Sequence, residues 1–523
     1  MIKTFQYGID QLTCRLALEI MRGERKGILN EETKKGIERS SEHVQHIVRS
    51  QQIVYGVNTG FGPLCTSIIG ANDTRTLQEN LLKSHAVGVG EPIARNLSKL
   101  MLILKVHALA KGFSGIQWET IERIVWHIDN DVIPVVPKQG SVGASGDLAP
   151  LSHLFLPLIG YGKVWSDTRQ CDASAILRLH ELSPIMLGAK EGLALINGTQ
   201  FMAAHAVVAV AEMQNLMENA DLIATLMLEG LNGSIKPFFP QLHDLRPHPC
   251  SQYVASTIYN LLQDSQIVQS HKNCARVQDP YSLRCIPQIH GASRNAWLHL
   301  KQTTEIEINS VTDNPVIIDQ DLIISGGSFH GQPIALPMDY ATLAISEIGN
   351  VSDRRVYLSL EGDTPRVPKL LLAATGLNSG FMILQYTTAA LASENKNLCF
   401  PASADSIPTS LGQEDHVSMG SISGRKLLQV IENVSHILSI ELICAAQALD
   451  FHRPLTSTPI IETIHQVIRN HIPHIEKDQP MTDILTSARM LITSGELVSH
   501  AMQVSEKYNI PYLGHQASIY NQF

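Results

Sequence analysis

Four long apolar segments, at about 200–230, 337–361, 376–398 and 418–451, constrain this chain more than any other feature. They are rich in Ala, Leu, Ile and Met, carry few internal prolines, and in several cases exceed an ordinary globular helix. Backbone groups in such stretches need internal hydrogen bonds and the side chains need cover, which points to long helices packed against one another. The expected fold class is mostly α, a long central helical bundle with a smaller mixed N-terminal domain and minor β elements. Loop-rich sequence with many Gly and Pro gives way to long helices near 200. The expected division is therefore an N-terminal domain over 1–200 and a central bundle with a C-terminal helical region over 201–523.

Local signals agree with that class. In "NEETKKGIERSSEHVQHIVRSQQ", Asn30 can cap, Glu31 and Glu32 suit a first turn, and Ile37, Val44, Ile47 and Val48 share a stripe. "VIIDQDLIISGG" at 316–327 predicts a hairpin, two apolar runs split by Asp319, Gln320 and Asp321.

Composition removes several classes of function. A net charge of −9 without a basic run gives no footprint for nucleic acid, and 5% aromatics give no stacking platform for bases. The eight cysteines, at 14, 65, 171, 250, 274, 285, 399 and 444, form no Cys-x-x-Cys pair and read as thiols in a reducing compartment. The stretch "AAHAVVAVA" at 203–211 is too short to span a bilayer, and the start "MIKTFQYGIDQ" has no basic segment followed by an apolar one. A cytoplasmic protein without membrane or nucleic-acid partners is expected. His43 and His46 share a helix face without carboxylate or cysteine neighbours at ligand spacing, so no metal is expected.

The loop "GSVGASGDLAP" at 140–150 is the chemical puzzle. It lacks the spacing of a phosphate loop, and Asp147 stands where a nucleophile elbow needs its second glycine. A plain tight loop is one reading. Another uses every residue. Glycine permits backbone approaches that a Cβ forbids, so the Gly146 nitrogen can meet the Ala144 carbonyl carbon. Ring closure with loss of water, then dehydration of Ser145, leaves a methylidene electrophile made from the chain itself. Ordinary side chains supply nucleophiles, acids and bases, so a reaction that needs an electrophile must import or manufacture one.

Elsewhere, Asp279-Pro280 reads as N-cap and first helical residue, with Tyr281 and Arg284 on one face of the opening turn. Arg284 near a helix N-terminus suits a carboxylate, and Gln278 lies within reach of the same ligand; a surface ion pair is the alternative for Arg284. Asn197 follows the apolar "LALI", where a buried amide needs partners and a simple Asn-Gly turn is the alternative. Taken singly, Tyr55 reads as loop packing, His85 as a satisfied loop histidine, Phe329 as core and Glu414 as a helix-start acid.

In combination these segments carry a resemblance. "GSVGASGDLAPLSH", "YGVNTGFGPL", "SHAVGVG", "EGLALINGTQ", "QDPYSLRC", "NSVTDNP" and "SIPTSLGQEDHVSMG" are similar, over nearly the whole chain, to the histidine and phenylalanine ammonia-lyase family. The resemblance implies a methylidene-imidazolone (MIO) group formed autocatalytically from Ala144, Ser145 and Gly146, with no external cofactor. It implies Tyr55 as the base over the substrate β-carbon and Tyr281 as a further catalytic residue. His85, Asn197, Gln278, Arg284, Phe329 and Glu414 would be substrate-binding. It also implies a homotetramer whose active sites are shared between subunits.

His85 and Glu414 resemble the histidine-specific members. The physics agrees, because a carboxylate accepts an imidazole N–H but is left unpaired against a benzene ring. The expected reaction is non-oxidative deamination of L-histidine to trans-urocanate and ammonia, the first step of histidine degradation. A phenylalanine or tyrosine lyase or aminomutase, and a helical scaffold that lost its chemistry, are the alternatives. Ser328 and Gln332 in "SFHGQP" depart from many relatives, which show Asn before the Phe and an acid at the later place.

Overall fold

The structure is a computed structural model that describes residues 3–50, 53–64, 66, 68–70, 73–272 and 276–518. It is mostly α, and the four apolar segments are the helices Gln200–Gly230, Gln332–Ser359, Met382–Leu398 and Gly420–Asp450. The last is apolar and long enough to cross a membrane, yet 78% of its most apolar window is buried, as in a core helix. The chain forms two compact units that interleave along the sequence. One comprises 1–208, 300–339 and 401–425, and the other 209–299, 340–400 and 426–523. A single division near 200 does not anticipate the returns of 300–339 and 401–425 to the first unit.

In the first unit, the helix Glu31–Ser50 starts as its sequence predicts. Asn30 Oδ1 accepts from the Thr33 N–H at 2.9 Å, and Ile37, Val44 and Ile47 are buried. The predicted hairpin is present as Val316–Ile317 paired antiparallel with Ile323–Ile324. Asp319 Oδ1 accepts from the Asp321 and Leu322 N–H groups at 2.9 and 2.8 Å, which closes the turn. Three helices of this unit set the site: Thr74–His85, Leu148–Phe155 and Glu191–Ile196 pack against one another. Leu82, Leu151, Leu154 and Leu195 are buried at 1% exposure or less. Gly192 permits the close approach, since a Cβ there would lie 2.8 Å from the Gln78 carbonyl oxygen. The result is directional: one helix ends at His85, another begins just after the 144–146 loop, and the third ends just before Asn197.

The second unit is helical among its described residues, and its helices Pro459–His471, Thr482–Thr493 and Glu496–Tyr508 pack together. Its buried arginines come paired with carboxylates. Arg294 holds Glu218 at 3.0 Å and Asp221 at 2.7 Å, and the Arg355 guanidinium donates to both oxygens of Glu441. Pairing is what makes such burial tolerable.

One expectation is corrected here. Asp279 does not cap a helix. Pro280, with extended ψ of 156°, holds the cap position of a four-residue helix, Tyr281–Arg284. The Asp279 carboxylate instead accepts from the Ser234 N–H at 2.6 Å. Arg284 therefore closes that short helix; its Nε donates to the Asp279 carbonyl at 2.9 Å and its guanidinium lies 4.5 Å from the Tyr281 ring centre.

Candidate active site

The first unit contains a cavity of about 890 Å3. Tyr55, His85, Ala144, Ser145, Asn197, Phe329 and Glu414 all line it, drawn from six separate stretches of sequence. Gly146 follows Ala144 and Ser145 in the chain and is not itself among the lining residues. Gln278, Tyr281 and Arg284 belong to the other unit and are not among the lining residues.

The loop is held in an unusual backbone path. Ser145 has φ of +52° and Gly146 of +79°, both in the left-handed region. That is costly for serine and free for glycine. A Cβ on Gly146 would fall 2.1 Å from the Gly198 carbonyl oxygen, so no larger residue fits. Gly198 clamps the loop from both sides: its N–H donates to the Ser145 carbonyl at 3.3 Å, and its carbonyl accepts the Asp147 N–H at 2.7 Å. Asn197 Nδ2 donates to the same Ser145 carbonyl at 2.8 Å. Two N–H groups thus converge on one carbonyl oxygen, an arrangement suited to negative charge developing there.

Asp147 is fully buried and spans to the helix Gln200–Gly230, where the Phe201 and Met202 N–H groups donate to Oδ2 at 3.1 Å each. Burial pushes its carboxyl up to about 7, against the pull of those N–H groups and Ser141. The loop is tied on its other flank by Met419 N–H to the Val142 carbonyl (2.9 Å) and Ser421 Oγ to the Ser141 carbonyl (2.7 Å).

Glu414 faces Ser145 across the cavity. The Ser145 hydroxyl donates to Glu414 Oε1 at 3.0 Å, while Thr409 and Ser410 hydroxyls donate to Oε2 at 2.8 Å each. His85 sits at its helix end with Nδ1 2.9 Å from Ser84 Oγ. Burial pulls its pKa below the ordinary histidine value; a hydrogen bond to the Leu81 backbone and the Glu414 charge push it back. The Tyr55 hydroxyl accepts from the Gly62 N–H at 3.3 Å.

Further residues in or around the cavity were given no role by the sequence reading. Asn314 pins the loop that carries Phe329, accepting from the Gly326 N–H at 2.7 Å and donating to Ser325 Oγ at 3.2 Å. His330 and His416 stack with ring centres 5.6 Å apart. Lys105, fully buried, donates to the Asn197 carbonyl at 2.6 Å. The signal for Lys105 was a lone lysine within the apolar run "LMLILKVHALA". Gln332 donates to the Ser403 carbonyl at 3.4 Å, and Ser328 is exposed. Among the described residues, no group of three or more His, Cys, Asp or Glu is placed to hold a metal ion.

Comparison with known proteins bears on this geometry. The chain is 43% identical to a histidine ammonia-lyase of Myxococcus xanthus over 94% of its length and 97% of the relative's. Its structure is similar to that of a histidine ammonia-lyase from Trypanosoma cruzi, with a TM-score of 0.89, 36% identity, and coverage of 99% and 97% of the two chains. A tyrosine aminomutase from Streptomyces globisporus is also similar, with a TM-score of 0.90, 30% identity and coverage of 96% and 98%. One architecture is thus shared with proteins named for different amino acids. The family model for aromatic amino acid lyases matches residues 12–470, and the chain belongs to that family.

Proposed function

We propose that this chain is a carbon–nitrogen lyase that converts L-histidine to trans-urocanate and ammonia, using an MIO group made from Ala144, Ser145 and Gly146. The residues fit that group. The left-handed Ser145 and Gly146, the absence of space for a Cβ at 146, and the paired donors on the Ser145 carbonyl all suit a backbone folded tightly on itself. When formed, the group supplies an electrophile that makes the substrate's amine a competent leaving group. Every other task falls to the chain's own side chains.

The observation that carries the substrate assignment is Glu414. Its Oε2 is occupied by Thr409 and Ser410, and its Oε1 takes only the Ser145 hydroxyl among the described hydrogen bonds. Dehydration of Ser145 removes that hydroxyl and leaves Oε1 facing the cavity with an acceptor to fill. A histidine substrate fills it with a ring N–H; a phenyl ring leaves a desolvated carboxylate unpaired. His85 lines the same cavity, and burial favours its neutral form, which keeps a second positive charge away from the substrate's ring. Tyr55 serves as the base that removes the β-proton, Asn197 orients the substrate beside the electrophile, and Phe329 shapes the wall around it.

Gln278, Tyr281 and Arg284 complete the site from neighbouring copies in a homotetramer, with Arg284 and Gln278 holding the substrate carboxylate and Tyr281 joining the chemistry. Tyr281 is 69% exposed, and Tyr340, Leu343 and Tyr357 leave apolar surface on one long helix for association. The cytoplasm suits the six described cysteines, all free thiols; Cys65 and Cys274 lie outside the described residues.

Incubation with L-histidine should yield a conjugated, ultraviolet-absorbing acrylate, and phenylalanine or tyrosine should not. Ser145→Ala should abolish turnover and block the dehydration that needs the Ser145 hydroxyl, so that at least one of the two waters missing from the parent is retained. Tyr55→Phe should keep that mass deficit and lose activity by ~10²–10⁴, the usual cost of a missing general base. A parent protein at its full encoded mass, or an acrylate from tyrosine alone, sinks the assignment.

A further inference from the structure

The group that holds Asn197 is a lysine that no motif assigns. Lys105 lies in the C-terminal half of the helix Arg95–Leu109, on a stretch buried from Leu100 to Leu109. Its Nζ donates to the Asn197 carbonyl oxygen at 2.6 Å. That carbonyl and the Gly198 N–H are two ends of one peptide group, and the Gly198 N–H donates to the Ser145 carbonyl. A donor on the oxygen of an amide draws electrons from its nitrogen, so the N–H becomes a stronger donor in turn. Lys105, the 197–198 peptide and the Ser145 carbonyl therefore form one directional chain.

We propose that Lys105 is a positioning residue for the lyase reaction: it fixes and polarises the 197–198 peptide so that the Gly198 N–H and the Asn197 amide stabilise charge on the Ser145 carbonyl oxygen. The inference rests on the reading of residues 144–146 given above. Burial lowers the Lys105 ammonium to about 7, with Asp313 and Asp147 holding it up and Lys190 pushing it down. Both its charged and its neutral form carry an N–H for the Asn197 oxygen. The neighbouring lysine is committed elsewhere, since Lys190 donates to Asp313 at 2.8 Å and to the Ser114 carbonyl at 2.7 Å. Lys105 touches neither substrate nor reacting atoms in this role. It acts through Asn197 and Gly198.

The test uses the full-length protein and three measurements on each variant: intact mass, thermal unfolding, and steady-state turnover of L-histidine. Lys105→Met removes the donor at nearly constant volume, and Lys105→Gln keeps a neutral donor on a shorter arm. The expected result for Lys105→Met is a folded protein that still lacks two waters, with kcat reduced by about 10–100-fold, below the cost of deleting an oxyanion donor outright. KM should stay within about threefold, because an interaction formed in the transition state leaves ground-state binding alone. Lys105→Gln should recover part of the lost kcat. The proposal is overturned by a folded, dehydrated Lys105→Met whose kcat matches the parent, or by a loss confined to KM. Failure of both variants to fold overturns it as well, since the lysine would then serve stability alone. An inactive parent instead overturns the lyase reading itself, so the two failures are distinguishable.

Discussion

Glu414 divides its two oxygens between support and site, and that division makes its charge visible at His85. The Glu414 carboxylate stabilises the His85 cation, while burial opposes it and wins. Replacing Glu414 with Gln removes the favourable charge, so the His85 titration midpoint should move to still lower pH. Ring-resonance titration by NMR in parent and Glu414→Gln protein measures this; a midpoint that stays fixed or rises excludes electrostatic coupling across the cavity. Individual side chains were unequally legible in the sequence. Tyr55, His85, Asn197, Phe329 and Glu414 each sit in a short polar or aromatic motif, and all five line one cavity. Lys105 gave no such signal, because its importance lies in a partner about 90 residues distant; Asn314 sits in a quoted motif, but its part in holding the 325–326 loop is a matter of loop geometry.

At the scale of elements, the helix Gln200–Gly230 begins against a carboxylate borrowed from another segment. Asp147 accepts from Phe201 and Met202, which places a negative group at the positive end of a long helix and fastens the reactive loop to it. The carboxyl is nonetheless held near 7 by burial, well above its unfolded value of 3.8. The folded chain thus binds that proton more tightly than the unfolded chain. The stability this contributes is fully present below about pH 4 and is lost as pH rises through about 7. Asp147→Asn lacks the titration. Relative to this variant, the parent should lose on the order of 2–4 kcal/mol between those limits, measured by urea midpoints across pH. A gap that does not change with pH contradicts a carboxyl raised by burial. The predicted hairpin and the Asn30 cap were readable because both depend on neighbours within a few residues. The expected Asp279 cap fails because Pro280 adopts an extended backbone at the cap position and the Asp279 carboxylate accepts from the Ser234 N–H instead.

For the whole molecule, the arrangement that matters is the return of 300–339 and 401–425 to the unit built by 1–208. Lys190, Asp313 and Ser114 meet in a buried knot that joins parts of that unit far apart in sequence. The proposed tetramer extends the same principle across subunits, since Gln278 and Arg284, proposed to hold the substrate carboxylate, are absent from the cavity lining of their own chain. Inactive Ser145→Ala and inactive Arg284→Ala proteins, unfolded together and refolded as mixed oligomers, should regain activity. Some sites would then combine an intact loop with an intact arginine. Mixtures no more active than their components contradict a shared site.

The sequence by itself determined the helical class and the existence of the four long helices, with their ends placed to within about six residues, while the candidate site residues rest on the family resemblance. The helices follow from local periodicity and composition. Only the tertiary structure decided which of those side chains share a cavity and that Ser145 is left-handed. The same holds for the lysine's burial beneath Asn197. These outcomes depend on close contacts between distant segments, where a single absent Cβ at Gly146 or Gly192 sets the spacing, and no pattern along the chain encodes such a distance.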